Sequence, residues 1–526
     1  MALLLPDFPL FKNALAYAKD PNNIAIDDQI LQKQFTYAEL VFAAASLRNR
    51  LLAGKADLEE QRIAILCPSG FAYVVCQWAV WAAGGIAVPI CTSHPVAEQV
   101  YTVTDSQATL LLVHTFYQDR QAALVRETGI EVLALTEQEL LPSGQPATLP
   151  GLIEMDVQRR AMIIYTSGTT GKPKGAVSTH DNIDAQTSVL VDAWHWTEKD
   201  RIYHILPLHH VHGVINALAC PLFAGATVEM HEKFDARKTW QRWVDTEEKD
   251  KPKLTTFMTV PTVYAKLIAI YKAAPSNDQQ RYRKSCNQFR FMVSGSASLP
   301  TPMREEWERI SGQVLLERYG MTELGMALSQ PYDDRLEGTV GFPLKDVQVR
   351  LLAEVEGSEI GTDVSETRNV PGLLHVKGRN VFKEYWQRPE ATAKEKVDGW
   401  FATGDLVMRT GQKGYYQILG RNSIDIIKTG GEKVSALEIE REILSCPSLA
   451  VADVAVVGVP DPEWGQRVAA AVVLDANETL DLDTLRITLK NRLAVYKVPS
   501  MLKVVDQLPK NAMGKVTKKD LVPLFL

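Results

Sequence analysis

Cysteine is scarce in this chain: six in 526 residues. No two of the six, Cys67, Cys76, Cys91, Cys220, Cys286 and Cys446, stand at CxxC spacing. That spacing argues against a disulfide framework or a zinc knuckle and for buried thiols in a reducing compartment. An excess of basic charge is also missing. Lys plus Arg total 57 against 63 Asp plus Glu, a formal net charge of −6, so the electrostatic footprint of a general nucleic-acid binder is absent. Long unbroken apolar runs are lacking as well. The longest, Phe71 to Ile90, is interrupted by Gln77, Gly84, Gly85 and Pro89 and reads as a buried helix leading into a buried strand, not a membrane span. The first residues, MALLLPDFPLFKN, carry no basic region ahead of an apolar stretch that Pro6 and Asp7 break. Neither a signal peptide nor an Arg/Ser-rich transit peptide is expected, and the expected location is cytoplasmic. Repeats and low-complexity tracts are not found.

What is present is ordinary globular composition, 46% apolar and 23% charged, in a length that exceeds a single core and predicts at least two domains. Short β-branched runs alternate with helical patterns. Strands are predicted at Arg62–Leu66, Ile86–Ile90 and Ala108–Val113, with helices over Phe71–Ala83 and near Pro95–Val103. The same alternation continues at Met162–Tyr165, Arg201–Leu206, Thr255–Met258, Phe291–Val293 and Val314–Glu317, predicting an α/β body of parallel-rich sheets with flanking helices. The last hundred residues read differently. Strands at Val454–Val459 and Val468–Val473, a helix over Leu482–Leu493 and a strand at Ser500–Val505 suit a small α+β domain. Its end is basic: Arg486 to Lys519 holds nine Lys/Arg and one acid, Asp506. It is either a solvated face or a surface for a polyanionic small molecule.

The most specific segment is Tyr165-Thr-Ser-Gly-Thr-Thr-Gly-Lys-Pro-Lys-Gly175, between a predicted strand and a helix from Asn182. Glycines free backbone N–H groups to face an anion. The hydroxyls of Thr166, Ser167, Thr169 and Thr170 add donors, and Lys172 and Lys174 add charge. The spacing does not fit GxxxxGK[ST], since after Gly168 and four intervening residues comes Pro173, not Gly-Lys, which disfavours a P-loop kinase or GTPase. A polar surface turn is the plainer alternative. Leu206-Pro-Leu-His-His-Val-His-Gly213 clusters three histidines. No Cys or carboxylate joins them at ligand spacing, so a metal centre is not expected there.

With Gly295-Ser-Ala-Ser-Leu299, Tyr319-Gly-Met-Thr-Glu323, Gly399-Trp-Phe-Ala-Thr-Gly-Asp405, Gly420-Arg421, Gly430-Gly431 and Pro509-Lys-Asn-Ala-Met-Gly-Lys515 in order, nearly the whole chain resembles the adenylate-forming superfamily of acyl-CoA synthetases, peptide-synthetase adenylation domains and luciferases. The resemblance implies a body of residues 1–420, the AMP-binding adenylation domain, and a mobile catalytic cap of 421–526. It implies a ligase in which a carboxylate attacks the α-phosphorus of ATP and CoA then displaces AMP, with Mg²⁺ present and no protein nucleophile. ATP would contact Thr166, Ser167, Gly168, Thr169, Thr170, Gly171, Lys174, Ser296, Arg318, Tyr319, Gly320, Thr322, Asp405 and Arg421. Tyr319 would stack on adenine and Asp405 would accept the ribose hydroxyls. Thr166 and Glu323 would hold the metal, Lys515 would bridge carboxylate and α-phosphate, and Gly430 and Gly431 would meet CoA. One more residue than is common separates the Arg from the Gly pair, so the pivot stays open between Ser423 and Asp425.

The histidine motif, Val-Ser-Gly-Ser-Ala and Glu-Arg-Tyr-Gly-Met-Thr-Glu are similar to the malonyl-CoA and methylmalonyl-CoA synthetase branch. The acid implied is malonate or methylmalonate, with His210, Arg290, Ser296 and Met321 lining its pocket. His210 would be the gating ring, and Arg290 is the candidate cation for the second carboxylate. Another short acid, or loading of a carrier protein in place of CoA, are the alternatives. Partners are then small molecules, with no nucleic acid and no integral membrane segment.

Overall fold

A computed structural model describes residues 2–140, 148–166, 172–353, 361–430, 432–510 and 516–526. Two large sheets form the body. In the seven-stranded sheet, Arg62–Leu66 is flanked in parallel by Ile86–Pro89 and Leu110–His114. The hairpin Arg160–Tyr165/Gly175–Thr179 extends one side. In the nine-stranded sheet, Thr227–Met230, Arg201–His204, Thr256–Thr259, Phe291–Ser294 and Leu316–Met321 run parallel and adjacent. The β-α alternation read in the sequence therefore builds the body, with strand ends shifted by up to four residues, as at Leu316–Met321.

Local chemistry sets the helices between the sheets. Phe71–Ala82 is buried on every face, as its near-continuous apolar sequence requires, and Trp81 Nε1 donates to the Ala161 carbonyl at 2.8 Å. Tyr37–Leu52 and His180–Ala193 each begin with a reciprocal capping box, Thr36/Glu39 and Thr179/Asn182, which satisfies N–H groups that the first turn leaves unpaired. Among the described residues no helix is long and apolar enough to cross a membrane.

A third, antiparallel sheet contains Gln348–Ala353, Gly372–Lys377, Trp400–Thr410 and Tyr415–Arg421. The chain leaves it after Arg421 and enters a separate five-stranded sheet at Ile426. That last sheet holds the long pair Val451–Asp461/Gly465–Leu474 and the strand Met501–Val504, with the helices Ala436–Leu444 and Leu482–Lys490. It has its own apolar core, built on Ile439, Ile443, Val456, Ala470, Leu485 and Leu489.

Candidate active site

Parallel strands expose their carboxyl ends together, and α/β proteins place ligands there. Here the ends of both large sheets open on one cavity of about 1570 Å³. Cys67, Ile90 and Cys91 follow strands of the first sheet. Leu206 to His212, Thr259, Ser296 and Arg318 to Glu323 follow or end strands of the second.

At one end lies the glycine-rich hairpin. Gly175 pairs with Tyr165, and Thr166 N–H donates to the Lys174 carbonyl at 2.9 Å. A side chain at Gly175 would place a Cβ 2.7 Å from Ile163, so glycine is required by close approach. Thr166 and Lys174 line the cavity, whereas Lys172 sits over the Tyr101 ring. Ser167, Gly168, Thr169, Thr170 and Gly171 lie outside the described residues. Lys174 Nζ is 3.0 Å from Glu395 and 3.9 Å above the Tyr385 ring. The Tyr385 hydroxyl is 2.7 Å from Glu323 and 2.6 Å from Glu395. One hydroxyl hydrogen cannot serve two carboxylates, and burial raises the pKa of Glu323, with Glu395 adding repulsion. A cation beside Glu323 would relieve both effects. The pair of one buried carboxylate and the Thr166 hydroxyl therefore fits a hard metal ion completed by substrate oxygens.

The next wall carries Tyr319, Gly320, Met321, Thr322, Asp405 and Arg421. Leu316–Met321 turns back through Gly325–Ser329, and a Cβ at Gly320 would come within 2.0 Å of the Gly325 carbonyl. The Tyr319 hydroxyl donates to Asp405, which fixes the ring in the wall. Asp405 faces Arg421 across the sheet register, with Arg421 Nε 3.5 Å from its carboxylate.

The third region joins the two sheets. Arg318 is 4% exposed, and no carboxylate among the described residues pairs with it. Its Nη2 donates to Ser296 Oγ at 3.3 Å, and its buried Nε has no protein partner. Ser296 Oγ also lies 3.3 Å from His212 Nδ1. Burial lowers the Arg318 pKa to about 9, and burial together with Arg318 holds His212 neutral. Gly295 makes the arrangement possible, since a Cβ there would stand 2.3 Å from the guanidinium carbon. Ser296 itself holds φ +66°, a costly backbone state of the kind found at functional sites. His210 and Met321 line the same space. The following residues, His212–Ala219, form a fully buried π-helix, and Gly213 is obligatory because its Cβ would meet the Pro207 carbonyl at 2.1 Å.

Arg290 does not join them, and its expected role in the acid pocket is corrected. It precedes the strand Phe291–Ser294, at the amino end, while Ser296 follows the carboxyl end. Its guanidinium grips Asp200 at 2.7 and 3.1 Å and the Trp194 carbonyl at 2.9 Å, and it does not line the cavity. Two other expectations fall differently. Gly430, with φ +57°, packs on Trp464 and is not a lining residue, although Lys428, Leu437 and Arg441 of the same unit are. Gly431 and Lys515 lie outside the described residues. Of the two pivot candidates, Ser423 lines the cavity. Asp425 accepts from Arg421 N–H at 3.0 Å and binds Lys518 at 2.6 Å.

Sequence reasoning missed the buried status of Arg318, the contact of His212 with Ser296, and the pair Tyr385 and Glu395. The first two sat inside motifs already singled out. Tyr385 and Glu395 reach Glu323 from about sixty or more positions away along the chain, and no local pattern marks them.

Residues 12–386 match the AMP-binding enzyme family, and residues 438–515 match the AMP-binding enzyme C-terminal domain. The chain belongs to the AMP-binding enzyme family. It is 44% identical to the human mitochondrial malonate–CoA ligase ACSF3, covering 98% of this chain and 92% of that protein. It is 38% identical to a malonate–CoA ligase of Arabidopsis thaliana, covering 93% and 84%. The crystal structure of ATP-bound MatB from Rhodopseudomonas palustris superposes with a TM-score of 0.85 at 34% identity, covering 98% of each chain. This member of the AMP-binding enzyme family thus has the large amino-terminal and small carboxyl-terminal domains of adenylate-forming enzymes.

Proposed function

We propose that the protein is an AMP-forming acid–thiol ligase that adenylates malonate with ATP and transfers the malonyl group to CoA. The family match supports the reaction class, and the malonate–CoA ligases among the relatives support the acid. The observation that carries the choice of acid is Arg318. A buried guanidinium with no carboxylate partner among the described residues, beside a serine hydroxyl and a neutral histidine, is a receptor for an anionic group. A monocarboxylic acid spends its only carboxylate on phosphorus, whereas a dicarboxylic acid retains one for Arg318.

The remaining roles are those the family resemblance implies, supported by the lining of the cavity by Thr166, Lys174, Tyr319, Glu323, Asp405 and Arg421. The Thr166–Lys174 hairpin and Lys174 hold the β/γ-phosphates, with Ser167 to Gly171 between them. Tyr319, tied to Asp405, offers its ring to adenine, and Asp405 with Arg421 takes the ribose. Thr166 and Glu323 hold Mg²⁺, which neutralises phosphate charge when bound. Lys515 stabilises charge at the α-phosphate. Neither half-reaction needs a protein nucleophile, so catalysis rests on positioning and preorganised charge. Residues 1–420 form the body and 421–526 a cap that turns between half-reactions at Ser423–Asp425. Gly430 and Gly431 then meet the pantetheine arm. The reduced, buried cysteines fit a cytoplasmic location, and the net negative charge favours small-molecule partners over nucleic acid.

The test is a panel of acids with ATP, Mg²⁺ and CoA, read as AMP release and thioester formation. Malonate should exceed acetate, octanoate and benzoate at equal concentration, with methylmalonate as the graded comparison. Preference for a monocarboxylate, or for a phosphopantetheinyl protein over CoA, would reject the reading.

A further inference from the structure

The histidine motif acquires partners that its spacing did not show. Cys91 and His94 stand on the turn after the strand Ile86–Pro89 of one large sheet. His209 stands on the loop after Arg201–His204 of the other. Their ligand atoms all lie within 4.8 Å of one another. We propose that Cys91, His94 and His209 form a zinc-binding site, with a fourth coordination position open to the cavity.

The donor set argues for the metal. A thiolate with two imidazoles is a borderline-soft N₂S set that selects Zn²⁺ and disfavours Mg²⁺, which takes oxygen ligands. The site is therefore chemically separate from the one at Glu323. His94 is oriented as a ligand: its Nδ1 faces Glu98 at 3.0 Å, leaving Nε2 for the metal, the carboxylate–histidine arrangement that zinc sites use. The turn is braced from behind. Gln99 donates to the Cys91 carbonyl at 2.8 Å and Arg120 to the His94 carbonyl at 3.1 Å. The His94 and His209 rings are 5.6 Å apart and meet edge-on. Zn–S and Zn–N bonds of about 2.3 and 2.0–2.1 Å require the donors to close by only about an ångström. The Cys91 proton is released to solvent as the metal binds. Because the His209 ring lies 4.1 Å from the His210 ring, tilted against it, bound zinc would fasten together two loops that border the acid pocket and slow turnover.

Cobalt(II) titration of the full, chelator-treated chain tests the site without reference to ligase activity. One equivalent should bind with a thiolate-to-cobalt charge-transfer band and tetrahedral visible absorption. Cys91→Ser should abolish the band and weaken competing Zn²⁺ by about a hundredfold or more, and His94→Ala should weaken it comparably. Cys446→Ala, altered in the small domain, should keep both. Circular dichroism and thermal melting establish that each variant is folded. Absence of the band in the wild type, or its persistence in folded Cys91→Ser, would overturn the proposal. With free Zn²⁺ fixed by a metal buffer, wild-type turnover should fall relative to its zinc-free rate and Cys91→Ser turnover should not. Equal inhibition of both would overturn the link to turnover.

Discussion

Two arginines, Arg290 before the strand Phe291–Ser294 and Arg318 within the neighbouring strand Leu316–Met321, show how position decides what a cation does. Arg318 forgoes hydration without an ion-pair partner among the described residues, which costs stability unless a ligand supplies the anion. Arg318→Met should raise the KM for malonate about 10- to 100-fold, the worth of a charged hydrogen-bonded pair. The KM for ATP should change little, and thermal stability should hold or rise. Falling stability with an unchanged malonate KM would assign Arg318 a structural role. Arg290 predicts the reverse pattern. Its carboxylate partner Asp200 is 3% exposed, so Arg290→Ala strands a buried charge. The loss should be about 2–4 kcal/mol of stability, somewhat below the figure for a fully buried pair, with malonate KM intact. Glu317 adds a pH effect. Burial raises its pKa from 4.5 to about 8, against weaker opposing pulls from Arg304 and Arg441. The native state therefore binds more protons than the unfolded chain between these values. This contribution is full below about pH 4.5, declines as pH rises, and is gone above about pH 8. Ligand-free wild type should lose stability relative to Glu317→Gln across that window, and parallel melting curves at pH 5 and 8 would refute the shift.

At the scale of elements, the turn after Phe291–Ser294 carries the design of the acid pocket. Gly295→Ala adds one methyl group where the Arg318 guanidinium lies 2.3 Å away. The arginine must move, so malonate-dependent AMP release should fall about as far as in Arg318→Met while ATP affinity is spared. Retained malonate KM in a folded Gly295→Ala protein would show that the guanidinium has another place to go. Elements with strong patterns were legible in the sequence: the Phe71–Ala82 helix through its apolar run, and the parallel strands through β-branched runs between helices. The antiparallel sheet between Gln348 and Arg421 was not. Burial alternates along Trp400–Thr410, but its inward positions include the polar Thr403 and Asp405, so the sequence shows no apolar alternation there. Glycine-marked motifs were legible because close approach leaves only glycine, as at Gly175, Gly213 and Gly320. Arg290 misled for the complementary reason: sequence proximity to Gly295 and Ser296 does not reveal that a strand carries its two ends apart.

For the whole molecule, the break between sheets at Arg421–Ile426 matters most. The uneven charge of the chain follows it, because the basic carboxyl-terminal stretch lies wholly on the far side. Lys428, Leu437 and Arg441 cross back to line the cavity, while Lys510 does not and instead pairs with Asp453 at 2.7 Å. Asp425 stands at the crossing, tied to the Arg421 backbone on one side and to the buried Lys518 on the other, with Glu440 2.7 Å from the same ammonium. Under the proposed two-step reaction, a small domain turning about this point would bring a different face to the cavity for each half-reaction. Lys515→Ala should then abolish adenylate formation, read as pyrophosphate release, yet still convert supplied malonyl-adenylate to malonyl-CoA at near the wild-type rate. A Lys428→Ala, Arg441→Ala protein should show the opposite partition, forming adenylate while slowing thioester release. Equal loss of both half-reactions in both proteins would mean that the cap works in one fixed position. In that case a single closed geometry would have to serve phosphorus and thioester chemistry alike.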